Sequence, residues 1–223
     1  MPVVQTENLK KVYRDGTVAV NALNGVDIWI EKGEFTAIAG PSGSGKTTLL
    51  NLIGGLDTPS EGDVLLEGRN ITKMGKGELS KLRLRSLGFI FQSYNLIPVL
   101  TARENVEFVM LLQGEERRTR LAKAKAILKE VGLGDLLHRR PDELSGGQQQ
   151  RVAVARAIVS EPKIVLADEP TANLDSKTGE ELMELMQDLN EKRAMTFLFS
   201  THDRMVMDRA RRLILLKDGK VVS

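Results

Sequence analysis

One eight-residue segment restricts the fold of this chain more than any other feature. Residues 40–47 read Gly-Pro-Ser-Gly-Ser-Gly-Lys-Thr and fit the pattern G-x-x-x-x-G-K-[ST] at every fixed position. An apolar run ending at Ala39 reads as a buried strand before the segment, and a helical pattern over 48–53 follows it. The glycines let the backbone wrap around phosphate oxygens, so that N–H groups and the positive helix end face the anion. The segment therefore predicts a phosphate-binding loop between a strand and a helix. A glycine-rich turn with a solvated lysine is the weaker alternative.

The last residues of the loop have individual predicted roles. Lys46 is expected to reach the β- and γ-phosphates of a bound nucleotide, and the Thr47 hydroxyl is expected to bind Mg²⁺. The other predicted nucleotide-binding residues of the loop and the first helical turn are Gly40, Ser42, Gly43, Ser44, Gly45 and Thr48.

A pair of acids follows a second apolar run. Residues 164–167 predict a core strand, and its carboxyl end leads into Asp168 and Glu169. Ligands of open α/β sheets bind at this end of the strands. Asp168 suits Mg²⁺, and Glu169 suits the polarisation of an attacking water. A polar strand end before Pro170 would explain the acids by themselves, but beside the loop at 40–47 they predict binding of a nucleoside triphosphate.

The wider pattern predicts an α/β fold with a parallel sheet covered by helices, because short apolar runs alternate with helical periodicity. Strands are predicted over 26–30, 34–39, 63–66, 87–91, 164–167, 196–200 and 213–216. The stretch 93–158 is predominantly helical and is predicted to be a subdomain inserted into one domain, whose core comprises 1–92 and 159–223. A hydrophobic content of 41% argues against disorder, and the absence of cysteine excludes disulfides, thiolate metal sites and a cysteine nucleophile.

A second predicted anion site begins 98 residues after Lys46. Residues 144–151 read Leu-Ser-Gly-Gly-Gln-Gln-Gln-Arg, in which small residues open a helix and expose N–H groups at its positive end. Either one chain binds two anions, or two chains share them.

Together the three motifs resemble the ATP-binding cassette (ABC) family, over essentially the whole chain. The resemblance implies a RecA-like P-loop NTPase core with an antiparallel β subdomain and an inserted α-helical subdomain. It also implies ATP-dependent head-to-tail dimerisation, in which the signature of one subunit closes on the ATP held by its partner. The signature residues that would bind this nucleotide are Ser145, Gly146, Gly147 and Gln148.

The resemblance extends to four further positions. Tyr13 lies where the family places an aromatic residue against adenine, although a strand-surface aromatic is the alternative. Gln92 matches the residue that senses Mg²⁺ and water, and His202 matches the histidine that contacts the γ-phosphate. Asp175 matches the D-loop, where Ala172-Asn173 replaces the Ser-Ala of many relatives. The implied reaction is ATP hydrolysis, with Glu169, His202, Lys46 and Gln92 as the catalytic group.

The predicted partners are integral membrane permease subunits. No apolar run approaches the roughly 18 residues of a membrane span, so we expect a peripheral protein on the cytoplasmic face of the cell membrane. The formal net charge of +2 does not indicate a nucleic-acid binder. The basic stretch 117–129 reads as a solvated helix face, with contact to anionic lipid headgroups or to nucleic acid as the alternative. We expect the permease to dock near 94–100.

Residues 91–106, 144–153 and 166–175 resemble the lipoprotein-releasing (LolD-type) and macrolide-exporter (MacB-type) group. The expected function is therefore release of lipoproteins or export of a lipophilic, macrolide-like substrate. Cell-division (FtsE-type) and peptide-resistance ATPases share much of this pattern. A non-transport ATPase of nucleic-acid or ribosome metabolism is a further alternative.

Overall fold

The computed structural model describes residues 1–16 and 18–222 of the chain. In this part the chain forms ten strands, β1 to β10, seven α-helices, α1 to α7, and one 3-10 helix at Pro141–Glu143. In chain order they are β1 Val4–Asp15, β2 Val18–Ile30, β3 Phe35–Ala39, α1 Lys46–Ile53, β4 Glu61–Leu66, β5 Arg69–Asn70, α2 Lys76–Ser86, β6 Leu87–Ile90, α3 Ala102–Leu112, α4 Arg117–Glu130, α5 Gly146–Ile158, β7 Ile164–Asp168, α6 Ser176–Arg193, β8 Phe197–Thr201, α7 Arg204–Arg209, β9 Arg212–Lys217 and β10 Lys220–Val221.

The predicted parallel sheet is confirmed. Its strand order is β10-β9-β3-β8-β7-β6, and all neighbours are parallel except the β9–β10 hairpin. β3 and β8 are buried along their whole length, as expected for strands covered by helices on both faces. Because parallel strands end at the same edge, the segments that follow β3, β6, β7 and β8 lie side by side. The sheet therefore gathers four sequence-distant loops.

A separate antiparallel sheet has the order β2-β1-β4-β5. The apolar runs at 26–30 and 63–66 predict only parts of it, and the sequence pattern did not indicate β1 or the first half of β2. The register of β1 against β2 shifts at three places between Thr6 and Val12. Such bulges interrupt the alternation of buried and exposed side chains. For this reason the sequence lacks the regular apolar–polar alternation that would predict a long strand here.

Helices fill the stretch predicted to be helical. Thr101 caps α3: its hydroxyl accepts the Glu104 N–H while the Glu104 carboxylate accepts the Thr101 N–H, the reciprocal arrangement that the spacing of these two residues predicts. α5 packs against both α3 and β6 and thus joins this helical region to the parallel sheet. The subdomain boundaries at 93 and 158 stay a prediction. α2 was not indicated by the sequence, because none of its residues is buried and it lacks an apolar stripe.

The hydrophobic core has two parts, one on each face of the parallel sheet. One contains Phe35, Phe197 and Phe199 together with the helices α3 to α6. The other contains α1 and the apolar side chains of β1, β2 and β4. No helix in the described residues is long and apolar enough to cross a membrane.

Candidate nucleotide site

The loop between β3 and α1 has the backbone geometry that its glycines predict. Gly45 precedes α1 at φ 103°, and a Cβ atom there would lie 2.4 Å from the Ala22 carbonyl oxygen. A Cβ atom at Gly40 would lie 2.1 Å from the Leu216 carbonyl oxygen. Any larger residue would therefore push the loop away from its neighbours. Gly43 also has a positive φ of 79°, so the loop takes a curved path in front of the α1 N-terminus.

Lys46 lies at the start of α1 and is only 7% exposed. Its ammonium donates hydrogen bonds to the carbonyl oxygens of Gly40 (2.8 Å) and Pro41 (3.1 Å). The side chain therefore spans the loop and places its positive charge beside the first two loop residues. Ser44 is buried, and its hydroxyl has no hydrogen-bond partner among the described residues. A buried polar group without a partner is costly. The ammonium and this hydroxyl are the groups that a phosphate would satisfy.

Asp168 and Thr47 form the candidate Mg²⁺ position. The Thr47 hydroxyl donates to Asp168 Oδ1 at 3.1 Å, and the Ser200 hydroxyl donates to the same oxygen. In the described residues no cluster of three or more His, Cys, Asp or Glu side chains could hold a metal alone. Mg²⁺ commonly takes one or two protein oxygens and completes its shell with water and substrate phosphates. The sparse oxygen set of Thr47 and Asp168 fits that pattern.

Glu169 follows Asp168 in a left-handed conformation, with φ 47°. Its N–H donates to the Ser200 carbonyl at 3.0 Å, and its Oε1 lies 2.7 Å from His202 Nδ1. The Thr201 hydroxyl donates weakly to the other carboxylate oxygen at 3.5 Å. Non-glycine residues in such conformations persist only where neighbours hold them, and they cluster at functional sites. The pairing across β7 and β8 thus brings together the two predicted catalytic residues.

Gln92 begins the segment that follows β6, beside the end of β7. Its side chain is exposed, and its backbone carbonyl accepts a hydrogen bond from Asn173 Nδ2 at 2.9 Å. The sheet therefore places Gln92 at the same edge as Asp168. The sequence did not indicate the Asn173 contact.

Tyr13 is 42% exposed on β1. Its hydroxyl donates to Asp57 Oδ2 at 2.8 Å, and the Lys11 ammonium lies 4.8 Å from the ring centre. Partial burial, assisted by the Asp57 carboxylate, raises the pKa of the Tyr13 hydroxyl. Burial opposes ionisation of Asp57, but hydrogen bonds from Lys11 and Tyr13 outweigh it and lower the pKa of that carboxyl. The ring is thus anchored through its hydroxyl and remains partly exposed.

The signature residues open α5 as predicted. Ser145 and Gln148 form a reciprocal capping box, in which the Ser145 hydroxyl accepts the Gln148 N–H at 3.3 Å. A Cβ atom at Gly147 would lie 2.4 Å from Thr178 Cγ2, and one at Gly146 would lie 2.9 Å from the Tyr94 hydroxyl. Close packing therefore disfavours a side chain at Gly147, whereas at Gly146 only the end of the Tyr94 side chain would have to move.

Asp175 lies beside the signature and caps α6. It accepts hydrogen bonds from the Thr178 N–H (3.0 Å) and the Thr178 hydroxyl (2.6 Å). In the described part of the chain, the side-chain hydrogen bonds of Ser145, Gln148 and Asp175 stay within these two helix caps. None of them reaches the phosphate-binding loop of the same chain, so the structure does not bring the two predicted anion sites together.

Several residues of the site escaped prediction. Ser200 and Thr201 end β8, and the polar sequence after the apolar run at 196–199 was an available signal. Asp57 and Thr178 carry no local signal, because they act through a residue distant in the sequence or through the packing of a neighbouring helix. Asn173 stands in the D-loop match, but that match does not indicate its contact with Gln92. Their roles appear only in the folded chain.

Comparison with known proteins gives consistent matches. The ABC transporter family model matches residues 23–172. An uncharacterized ABC transporter ATP-binding protein of Thermotoga maritima is 48% identical over 98% of this chain and 93% of its own length. The macrolide export ATP-binding/permease protein MacB of Brucella melitensis is 47% identical over the whole of this chain, which spans about a third (34%) of that protein.

A solved structure is also similar. It is the dimeric post-hydrolysis state of the ATP-binding cassette MJ0796 bound to ADP and Pi, with a TM-score of 0.91 and 45% identity. The similarity covers 99% of this chain and 97% of that one.

Proposed function

This chain belongs to the ABC transporter family and is an ATPase that uses ATP and Mg²⁺, and on that premise we propose that it dimerises on ATP and drives an integral membrane permease. One observation carries the proposal. The carboxyl ends of four parallel strands bring the phosphate-binding loop, Gln92, Asp168–Glu169 and His202 to one edge of the sheet. This edge supplies both the charge neutralisation and the water activation that phosphoryl transfer needs.

The residues of this edge divide into two roles. Lys46 and the loop N–H groups offset the charge of the β- and γ-phosphates, and the loop and first-turn residues named above cradle them. Thr47, Asp168 and Gln92 would hold Mg²⁺, which when bound neutralises phosphate charge. Glu169 orients and deprotonates the attacking water, and His202, 2.7 Å from the Glu169 carboxylate, holds the γ-phosphate geometry.

In the proposed dimer, the signature residues of one chain complete the nucleotide site of the partner chain. Ser145, Gly146, Gly147 and Gln148 present the positive end of α5, and Asp175 caps the adjacent helix. Among the described residues, the side chains of Ser145, Gln148 and Asp175 make no hydrogen bond to the phosphate-binding loop of their own chain. A head-to-tail dimer would place these residues against the partner's γ-phosphate, with closed two-fold symmetry. The similar MJ0796 cassette is dimeric, which supports this arrangement.

Gly147→Ala should lower ATP-dependent dimerisation and turnover by about tenfold or more, a loss of roughly 1–3 kcal/mol typical of forced overpacking. The reason is the 2.4 Å approach to Thr178 Cγ2, because Thr178 is held by Asp175 and does not yield easily. Turnover and sedimentation with ATP measure the effect. The matched rescue is Gly147→Ala with Thr178→Ser, which removes the clashing methyl and keeps the hydroxyl. If the rescue restored nothing, the steric explanation would be wrong.

Tyr13 is proposed as the adenine platform. Its ring is half exposed, its hydroxyl is anchored by Asp57, and β1 carries it in the antiparallel sheet beside the parallel core. An aromatic ring fixed in this way can stack on a base with little further loss of side-chain freedom.

A groove suits a membrane partner. A cavity of about 350 Å³ lies between α2, β6, α3 and α5, and its mainly apolar lining includes Leu84, Phe89, Phe91 and Val109. Asn95, from the segment where docking is expected, also lines it. In that segment Val99 is 71% exposed, whereas Leu96 packs against the core. We propose that a permease segment occupies the groove, which would hold the chain peripherally on the cytoplasmic side of the membrane.

Val99→Glu, in the exposed docking segment, and Val109→Glu, in the groove lining, should each release the chain from its membrane partner while sparing ATP binding, because each would place a carboxylate against an apolar surface of that partner. The measurement is recovery of integral membrane proteins with the tagged full chain in detergent. Val222→Glu is the matched control, since Val222 is also an exposed valine (59%) but belongs to the chain end after β10. Unchanged recovery with both the Val99 and the Val109 variants would contradict the docking proposal. Recovery of nucleic acid or ribosomes by the unaltered chain, without membrane protein, would favour the non-transport alternative.

The substrate is proposed from the subgroup resemblance and the MacB-type relatives. Release of lipoproteins or export of a lipophilic, macrolide-like compound is the first candidate, and FtsE-type or peptide-resistance systems are the second. The relatives named macrolide exporters include a permease part that this chain's alignment does not cover. Identification of the membrane protein recovered with the chain would discriminate between these candidates.

A further inference from the structure

The Gln92 loop, defined here as residues 92–95, is held by side chains to which the proposed mechanism gives no role. At its start the Asn173 amide donates to the Gln92 carbonyl oxygen at 2.9 Å. At its end the Arg156 guanidinium donates to the carbonyl oxygens of Tyr94 (2.8 Å) and Asn95. The loop is thus fixed between the turn after β7 and helix α5.

The loop needs such support. Tyr94 and Asn95 both have left-handed backbones, with φ of 60° and 51°. Two consecutive non-glycine residues keep this conformation only when the surrounding structure holds them. The backbone hydrogen bonds of the loop are short-range turns, from the Tyr94 N–H to the Phe91 carbonyl and from the Asn95 N–H to the Ser93 carbonyl. They define its shape but do not tie it to the catalytic edge.

Asn173 supplies that connection. It lies in a tight turn after Glu169, in which the Ala172 N–H donates to the Glu169 carbonyl (3.2 Å) and the Leu174 N–H donates to the Thr171 carbonyl (3.0 Å). β6 and β7 are adjacent parallel strands. The Asn173 amide therefore bridges the segments that leave these two strands, and it sets the position of Gln92 relative to the acidic pair.

We propose that Asn173 is a positioning residue for ATP hydrolysis, whose amide holds the Gln92 backbone so that the Gln92 side chain faces Mg²⁺ and the attacking water. The inference rests on the proposed function of Gln92. A bond that only stabilised the turn would affect folding and nothing else, so the two roles are separable by experiment.

The test uses the full chain and compares Asn173→Ala, Gln92→Ala and the double variant. Asn173 is exposed, so its removal should leave folding intact. Asn173→Ala should raise the Mg²⁺ concentration for half-maximal ATPase by about three- to tenfold, the range for loss of one hydrogen bond. In the presence of Mg²⁺, the affinity of Asn173→Ala for a fluorescent ATP analogue should fall by a similar factor. In EDTA, where no Mg²⁺ is bound, that affinity should change by less than about twofold. Without nucleotide, amide hydrogen exchange at 93–95 should accelerate about tenfold, as expected for a loop that opens more often.

The control is Asn190→Ala. The Asn190 amide also donates to backbone carbonyls, those of Gly33 and Met195, but at the opposite edge of the sheet. This variant should lower the melting temperature without changing the Mg²⁺ requirement.

Three results would overturn the inference. If Gln92→Ala raises the Mg²⁺ requirement and Asn173→Ala does not, Asn173 has no positioning role and the proposed function stands. If the two effects add in the double variant, Asn173 does not act through Gln92. If neither variant changes the requirement, the proposed role of Gln92 fails together with the inference.

Discussion

Glu169→Gln should lower turnover by about a hundred- to ten-thousandfold, the usual contribution of a general base, and should leave a stable ATP-bound dimer. Glutamine matches glutamate in size and keeps one oxygen for the Thr201 hydroxyl, so the local structure should survive. It cannot take a proton from water, however. The γ-phosphate then remains in place, and the contacts that close the dimer are not released.

Turnover and analytical ultracentrifugation with ATP would measure these two effects. Glu161→Gln is a closely matched control, because Glu161 also has a left-handed backbone (φ 52°) but precedes β7 at the opposite edge of the sheet. It should behave like the unaltered chain. A Glu169→Gln protein that hydrolysed ATP normally, or that stayed monomeric with ATP, would count strongly against the mechanism and the dimer.

Lys46→Ala should weaken ATP binding by about ten- to a hundredfold, because a hydrogen bond to a charged group contributes roughly 1.5–3 kcal/mol. Turnover should fall further, since the charge that develops on the γ-phosphate would lose its neutralising partner. The ammonium already lies across the loop on the Gly40 and Pro41 carbonyl oxygens. The Lys46 ammonium is therefore already positioned in the loop before ATP binds.

Titration with a fluorescent ATP analogue would measure the loss. Because Lys46 is nearly buried, the melting temperature of the variant must be measured beside it. Lys125→Ala removes an exposed lysine of α4 and should change neither quantity. Normal ATP affinity in Lys46→Ala would show that the Lys46 ammonium does not contribute to phosphate binding.

Local sequence patterns were sufficient to predict much of this candidate site. The loop at 40–47, the acids after residue 167 and the signature at 144–151 each combine a buried strand or helix start with residues of defined geometry. The backbone agrees with the local pattern, since Gly45 has a positive φ and Ser145 stands at the start of α5. The roles of the side chains in these segments stay predictions. Local pattern failed for β1, where bulges shift the alternation, and for α2, which buries none of its residues.

Contacts between distant segments were not predictable in the same way. The Asp57 carboxylate that anchors Tyr13 is 44 residues from it, and the Asn173 amide that holds Gln92 is 81 residues away. Asp57 stands in no recognised pattern, and the D-loop pattern that contains Asn173 does not indicate its contact with Gln92. These contacts depend on which strands are adjacent and in what register.

By itself the sequence determined the phosphate-binding loop, the acidic strand end, the helix caps and the α/β class, because each depends on backbone requirements within a few consecutive residues. Tertiary structure decided which of these segments meet. The order β6-β7-β8-β3 places Gln92, Asp168, Glu169, His202 and Lys46 along one edge, while the signature residues bond elsewhere. The physical reason is that strand order and register are set by packing on both faces of the sheet, to which residues throughout the chain contribute.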